Sequence, residues 1–388
     1  MLRLHELSID EMNQRESQSR VTQGSRPRGF RLVGLAVGAL LVLGPAAPAG
    51  AVNGAFFGIV PTNSPSAEEF EAMGQANVGT VRFQIDWRDV QPTEGGPYNW
   101  SGTDAQVTNA ALNGVELLPF VYGTPGYASG GSREPPLGSD EAKEAWMKFV
   151  TAAAERYGPD GAFWDEFTAA NPGVRPRPFR WLQIWNEQNS PAYYHPKPSV
   201  KEYAELVRIS DQALGDAGSG IRTVLGGMFG TPQRDKGIFA WKYLKRLFKK
   251  NGIKRRVDAV ALHPYSPNLA GVKAQIRLAR KKLRKTGAGK VPIWITELGW
   301  GSAGTNGHSL IKSRAGQKKM LRKSFNLILD RRVKWKIRRL MWFTWRDPAN
   351  PTDPVGVVCT WCASAGLFDR EGDPKPALDQ FRRFAGAS

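Results

Sequence analysis

Two short stretches of the 388-residue chain carry groups that could do chemistry. Trp181-Leu-Gln-Ile-Trp-Asn-Glu187 and Val291-Pro-Ile-Trp-Ile-Thr-Glu297 are apolar, β-branched and aromatic runs that each end in a carboxylate. A buried parallel strand reads as a continuous apolar run, so both are predicted to be inner strands. A carboxylate at the end of such a strand is desolvated at a cost unless it is paired or working. Two of them in one chain predict a carboxylate pair facing a common pocket, the machinery of glycosidic bond cleavage.

The elements that must position this pair follow from the alternation along the chain. Strands are predicted over 55–60, 80–87, 115–122, 181–187, 223–229, 257–265, 292–298 and 338–345. Helices are predicted near 66–77, 103–113, 140–157, 200–216, 237–250, 270–285, 313–330 and 376–385. Ser66, Ser101 and Ser139 stand where N-caps are wanted, and Gly114 and Gly252 where helices stop. Strict alternation of eight strands and eight helices implies parallel βαβ units, hence an α/β chain folded as a single (β/α)8 TIM barrel over 52–388. In that fold the active site lies at the C-terminal ends of the strands. The residues there are Arg82, Asp86 and Trp87, Tyr122, Asn186 and Glu187, His263 and Tyr265, Glu297 and Trp300, and Trp342, Trp345 and Asp347. The roster is polar and aromatic, as a sugar site would be.

At these motifs the chain resembles the clan A retaining glycoside hydrolases, family 5 and family 39 among them. Val81-Arg-Phe83 looks like the strand-2 arginine motif and Trp185-Asn-Glu187 like the acid/base motif. His263-Pro-Tyr265 looks like the strand-6 motif and Thr296-Glu-Leu-Gly-Trp300 like the nucleophile motif. Where family 5 usually has a histidine at the end of strand 3, this chain has Phe120 to Tyr122. The resemblance implies a β-glycosidase working by double displacement, with Glu297 as nucleophile and Glu187 as acid/base. Arg82 would hold the Glu297 pKa down, Tyr265 would orient it, and burial would raise that of Glu187. Asn186 would bind the sugar 2-hydroxyl and Trp345 would stack beneath the ring, with Trp342 the substitute by strand parity. Structural alternatives stand beside these roles: His263 as a satisfied core histidine, Trp87, Tyr122 and Trp300 as rim packing, Asp347 as a loop cap. A carbohydrate- or anionic-polymer-binding protein on a hydrolase scaffold is the alternative to turnover.

The rest of the sequence sets the context. Residues 1–51 read as a polar leader, an apolar run Leu32–Leu43 and a small-residue stretch, a secretory signal to be cleaved after Ala49 or Ala51 rather than kept as a membrane anchor. Secretion favours a local disulfide between the only cysteines, Cys359 and Cys362. With those two and four histidines, neither a metal nor a cofactor is expected. The net charge of +19 is uneven: Lys242 to Arg339 holds 28 Lys and Arg against Asp258, Glu297 and Asp330, a balance of +25, and the remainder −6. That basic region offers a surface for an anionic polymer or membrane. Nucleic acid is not expected, since the charges follow helix periodicity and no binding module is present. A polysaccharide or oligosaccharide substrate and a monomeric enzyme complete the expectation.

Overall fold

The eight apolar runs become eight strands: β1 Phe57–Val60, β2 Thr80–Asp86, β3 Glu116–Tyr122, β4 Trp181–Asn186, β5 Arg222–Phe229, β6 Ala259–His263, β7 Ile293–Ile295 and β8 Ile337–Phe343. They form a closed barrel in sequence order, every neighbour parallel, with β8 closing on β1 through the Phe57–Leu340 to Val60–Phe343 register. The structure, a computed structural model, describes residues 52, 54–232, 237–250, 252–304, 307–351 and 359–387. The expected leader, residues 1–51, lies outside the described residues. Among the described residues no helix is long and apolar enough to cross a membrane.

Helix starts follow side-chain chemistry. Ser66 and Glu69 make a reciprocal capping box ahead of Ala67–Gln75, and Ser139 accepts from the Ala142 amide ahead of Asp140–Tyr157. Ser101 is a correction: it is the first helical residue of Ser101–Leu112, and Trp100 stands at the cap without a side-chain bond. In the connection from β3 to β4 a helix at Phe163–Ala170, unforeseen in the sequence, buries Phe163, Trp164 and Phe167. Strands β7 and β8 stop short of their expected ends. Past Ile295 and Phe343 the chain leaves the ladder and carries its polar residues over the mouth.

The barrel interior is filled, as such barrels are. Its lower end is plugged by Trp181 and Trp294, packed edge-on at 4.7 Å, with Arg222 over the first ring and Arg339 over the second. At the upper end the loops after β7 and β8 are stitched together. The Ser364 hydroxyl accepts from the Ser302 and Ala303 amides and donates to the Ala303 carbonyl. Below it the Lys375 ammonium, 1% exposed, donates to Asp347 at 2.7 Å, Ser302 Oγ at 3.0 Å and the Ser364 carbonyl at 3.1 Å. Asp347 also accepts from the Gly366 amide, so it caps its own loop. Removing one partner of a buried pair leaves the other charge uncompensated. Lys375→Met should therefore lower unfolding stability by about 3–5 kcal/mol, read as a drop in the urea midpoint with an unchanged slope.

Candidate active site

Arg82 on β2 is 1% exposed, so its charge must be matched inside the protein. Nη1 donates to Glu297 Oε1 at 2.7 Å, Nη2 to Asn186 Oδ1 at 2.7 Å and Nε to Gln183 Oε1 at 3.0 Å. The Phe120 ring lies 4.1 Å beneath the guanidinium, at the end of β3 where the resemblance implied a histidine. Gln183 and Asn186 both reach Arg82 although they are three positions apart, which a regular strand of period two forbids. Trp185, between them, resolves this with a left-handed φ of 69°. Its indole leaves the barrel to pack on Tyr122 at 4.7 Å, and Asn186 turns inward. Glu187 is also left-handed at φ 41°. Two such residues on either side of Asn186 concentrate backbone strain at the end of β4.

The strain delivers Glu187 to Glu297. One oxygen of each and a ring nitrogen of His263 all lie within 4.8 Å of one another. His263 Nδ1 is 2.8 Å from Glu187 Oε1 and 3.3 Å from Glu297 Oε2, and Nε2 is 3.1 Å from Thr296 Oγ1. Burial, with the Arg82 charge, holds the imidazole well below its usual pKa, so it is neutral. When Glu187 is ionised it can only accept, so Nδ1 then carries the proton and Nε2 accepts from Thr296; a protonated Glu187 donates to Nδ1 instead. Tyr265 donates its hydroxyl to Glu297 Oε2 at 2.9 Å. These three acid and imidazole groups have the spacing of a cation site, but both Glu297 oxygens already bond protein donors and Arg82 supplies the positive charge.

Burial pushes the Glu297 carboxyl above its ordinary value, and the Arg82 charge and the Tyr265 and Arg82 hydrogen bonds oppose this. The expectation that Arg82 holds the group low is thus corrected: desolvation outweighs the pair. Burial also raises the Tyr265 phenol, which stays a donor.

The aromatic residues need a larger correction. Trp87 opens a short helix, Trp87–Val90, and its fully buried indole stacks on Phe149 at 5.4 Å and meets Trp146 at 5.6 Å. It serves the core beneath the helical layer. Trp300 donates to the Ser266 carbonyl and packs on Trp342, both of them fully buried. Trp345, 2% exposed, packs on Phe368 at 4.8 Å, and so cannot offer its face to a sugar. Tyr122 underpins Trp185 and is itself buried. Half-buried rings packed around Tyr265 include Phe343, Trp361 and Phe229, which sequence reasoning missed. Trp361 meets Tyr265 edge-on at 4.8 Å and Phe343 at 5.6 Å. It sits inside the Cys359–Cys362 disulfide, with its carbonyl close on Gly301 of the nucleophile loop. Gln183 and Thr296 were also missed. A polar residue inside an otherwise apolar strand was the available signal for Gln183.

The paired carboxylates at the ends of β4 and β7 stand at the face where parallel barrels of this kind carry their sites. Residues 138–381 match the family described as the glycosyl hydrolase catalytic core, and the chain belongs to that family. A search of curated proteins finds no match. Solved structures share the fold at low identity. A family 39 glycoside hydrolase from Bacteroides cellulosilyticus WH2 aligns with TM-score 0.57 at 17% identity over 85% of this chain and 63% of its own. The chain thus spans less than two thirds of that protein. A monomeric beta-xylosidase from Caulobacter crescentus CB15 gives 0.59 and 17% over 84% and 67%, and a GH5_18 protein from Bifidobacterium longum in complex with Manb1-4GlcNAc gives 0.60 and 18% over 85% and 78%.

Since Tyr265 stabilises the ionised form of Glu297, Tyr265→Phe should raise that pKa. An activity that needs the carboxylate is lost as pH falls through it, so the acid limb of kcat/KM should move to higher pH in the variant. Trp361→Ala, which strips a ring from the mouth, should raise KM for an aryl glycoside about tenfold, and Trp361→Phe should restore most of it.

Proposed function

We propose that the chain is a secreted, monomeric, retaining β-glycosidase acting on a β-linked oligosaccharide or polysaccharide. The observation that carries this is the spacing of Glu187 and Glu297, within 4.8 Å at their facing atoms. Retaining enzymes hold the pair about 5–5.5 Å apart, whereas an inverting pair needs about 6.5–9.5 Å to admit water.

The two carboxylates differ in their partners, which supports giving them different roles. Glu297 faces a permanent cation and a phenol donor, which favour an anion, and it attacks the anomeric carbon. Glu187 has the neutral His263 beside it and gives its proton to the leaving oxygen as the glycosidic C–O bond breaks. In the second step the same carboxylate takes a proton from water, whose oxygen displaces Glu297 from the anomeric carbon. Asn186, held by Arg82, presents its amide nitrogen for the sugar 2-hydroxyl. The Caulobacter xylosidase and the disaccharide-bound GH5_18 protein support β-linked substrates. Secretion rests on the leader sequence.

A panel of aryl β-glycosides with a mechanism-based fluoro-sugar tests this reading. Covalent label on Glu297 and a product of retained anomeric configuration by NMR are expected, and Glu297→Gln should lower kcat roughly 10⁴-fold or more while substrate still binds. An inverted product would overturn the mechanism, and sugar binding without turnover would favour a lectin-like role.

A further inference from the structure

At the end of the barrel opposite the mouth lies a second concave feature. Helices run antiparallel to the strands, so helix C-termini and the segments leading into the next strand gather at this lower face. Between the helix Ala240–Leu247, the turn Ile253–Arg255 and the end of the helix Leu269–Lys285 is an open cleft of about 420 Å³. It is lined by Lys249, Lys250, Lys254, Arg255 and Lys285, with Phe248, Gly252 and Thr286 and no acidic residue. All five cations are exposed, while Phe248 is buried beneath them. Two acids nearby are already engaged: Asp258, the nearest in sequence, accepts from the Thr223 amide at 3.0 Å, and Asp211 holds Arg256 at 2.8 Å.

Cations crowd here beyond what helix ends ask for. A helix C-terminus is complemented by one or two positive charges. The helix Leu269–Lys285 ends in Lys281, Lys282, Arg284 and Lys285. Burial, and then Lys245, Lys285 and Lys281, push the Lys282 ammonium down. Like charges so close repel, and a polyanion would relieve that repulsion.

We propose that this cleft docks a carboxylate-bearing polysaccharide, holding the enzyme on the polymer while the opposite end of the barrel is free to work. The choice of a glycan rests on the glycosidase reading above; the charge argument does not. A concave groove with separated cations suits a single linear chain more than a flat bilayer. Among the described residues the large exposed apolar side chains are Leu112 and Val333, and neither lines the cleft to enter a membrane. Tethering raises the local concentration of bonds to be cut without altering the site that cuts them.

The test measures retention of the full chain on immobilised polygalacturonate against a neutral glucan, across a salt series. Retention on the acidic polymer that falls steeply with salt is expected. Each cation near an anionic surface is worth roughly fivefold in affinity, so Lys249→Ala/Lys250→Ala/Lys254→Ala should bind about 100-fold more weakly. Lys148→Ala/Lys197→Ala/Lys201→Ala, which changes exposed lysines elsewhere, should bind as the parent does. Hydrolysis of an aryl glycoside should be equal in all three proteins, which separates this proposal from the catalytic one. Equal binding by the two triple variants, no binding to polygalacturonate, or tighter binding to phosphatidylglycerol vesicles or DNA would overturn it.

Discussion

The organisation of the upper barrel depends on neutralising one buried charge. The Arg82 guanidinium has no water to turn to, and its five donors point in fixed directions. Three acceptors meet it, and two come from the same strand at positions that a regular β4 could not both present. The left-handed backbone at Trp185 is the local answer to that demand. Its further consequences are the outward indole, the inward Asn186 and the placement of Glu187 against His263. The two carboxylates and the arginine are therefore one unit of structure.

Much of this was legible in the sequence, for identifiable reasons. The strands are apolar runs of ordinary length punctuated by glycines and serines, and their alternation with amphipathic segments leaves one arrangement that satisfies parallel pairing. Glu187 and Glu297 stood out because a carboxylate ending a buried strand is hard to account for by packing alone. The aromatic residues were not legible in this way. A tryptophan at a strand end gives the same signal whether its ring faces the mouth or the helical layer. Parity arguments also fail where one residue changes hand, as Trp185 does. Phe343 and Trp361 escaped notice because one is the less conspicuous neighbour of several tryptophans and the other belongs to a loop. The pKa of Glu297 was misjudged because the arginine is visible in sequence and the depth of burial is not.

The two ends of the barrel divide the protein's electrostatics between them. At the mouth a cation is buried and matched by acceptors, so its field is local and directional. At the lower face the lysines stand in water, where their attraction is long-ranged and sensitive to salt. The first kind of charge can select an atom to react; the second can only select the sign of a surface. Both kinds are supplied by one chain without interfering, because the Trp181–Trp294 plug and the layers above it lie between them.

The closure of β1 on β8, and the burial of Lys375 beneath the loops after β7 and β8, also bear on the life of the chain before it is finished. Glu297 lies ahead of the last strand, and Lys375 ahead of the last helix, Pro376–Ala385. A polypeptide emerging from the ribosome thus carries both glutamates before the barrel can close around them. The first strand finds its second neighbour only in the eighth, so closing the barrel waits on a segment far along the chain. The site therefore needs β8 and the Lys375 segment in place as well as the two glutamates.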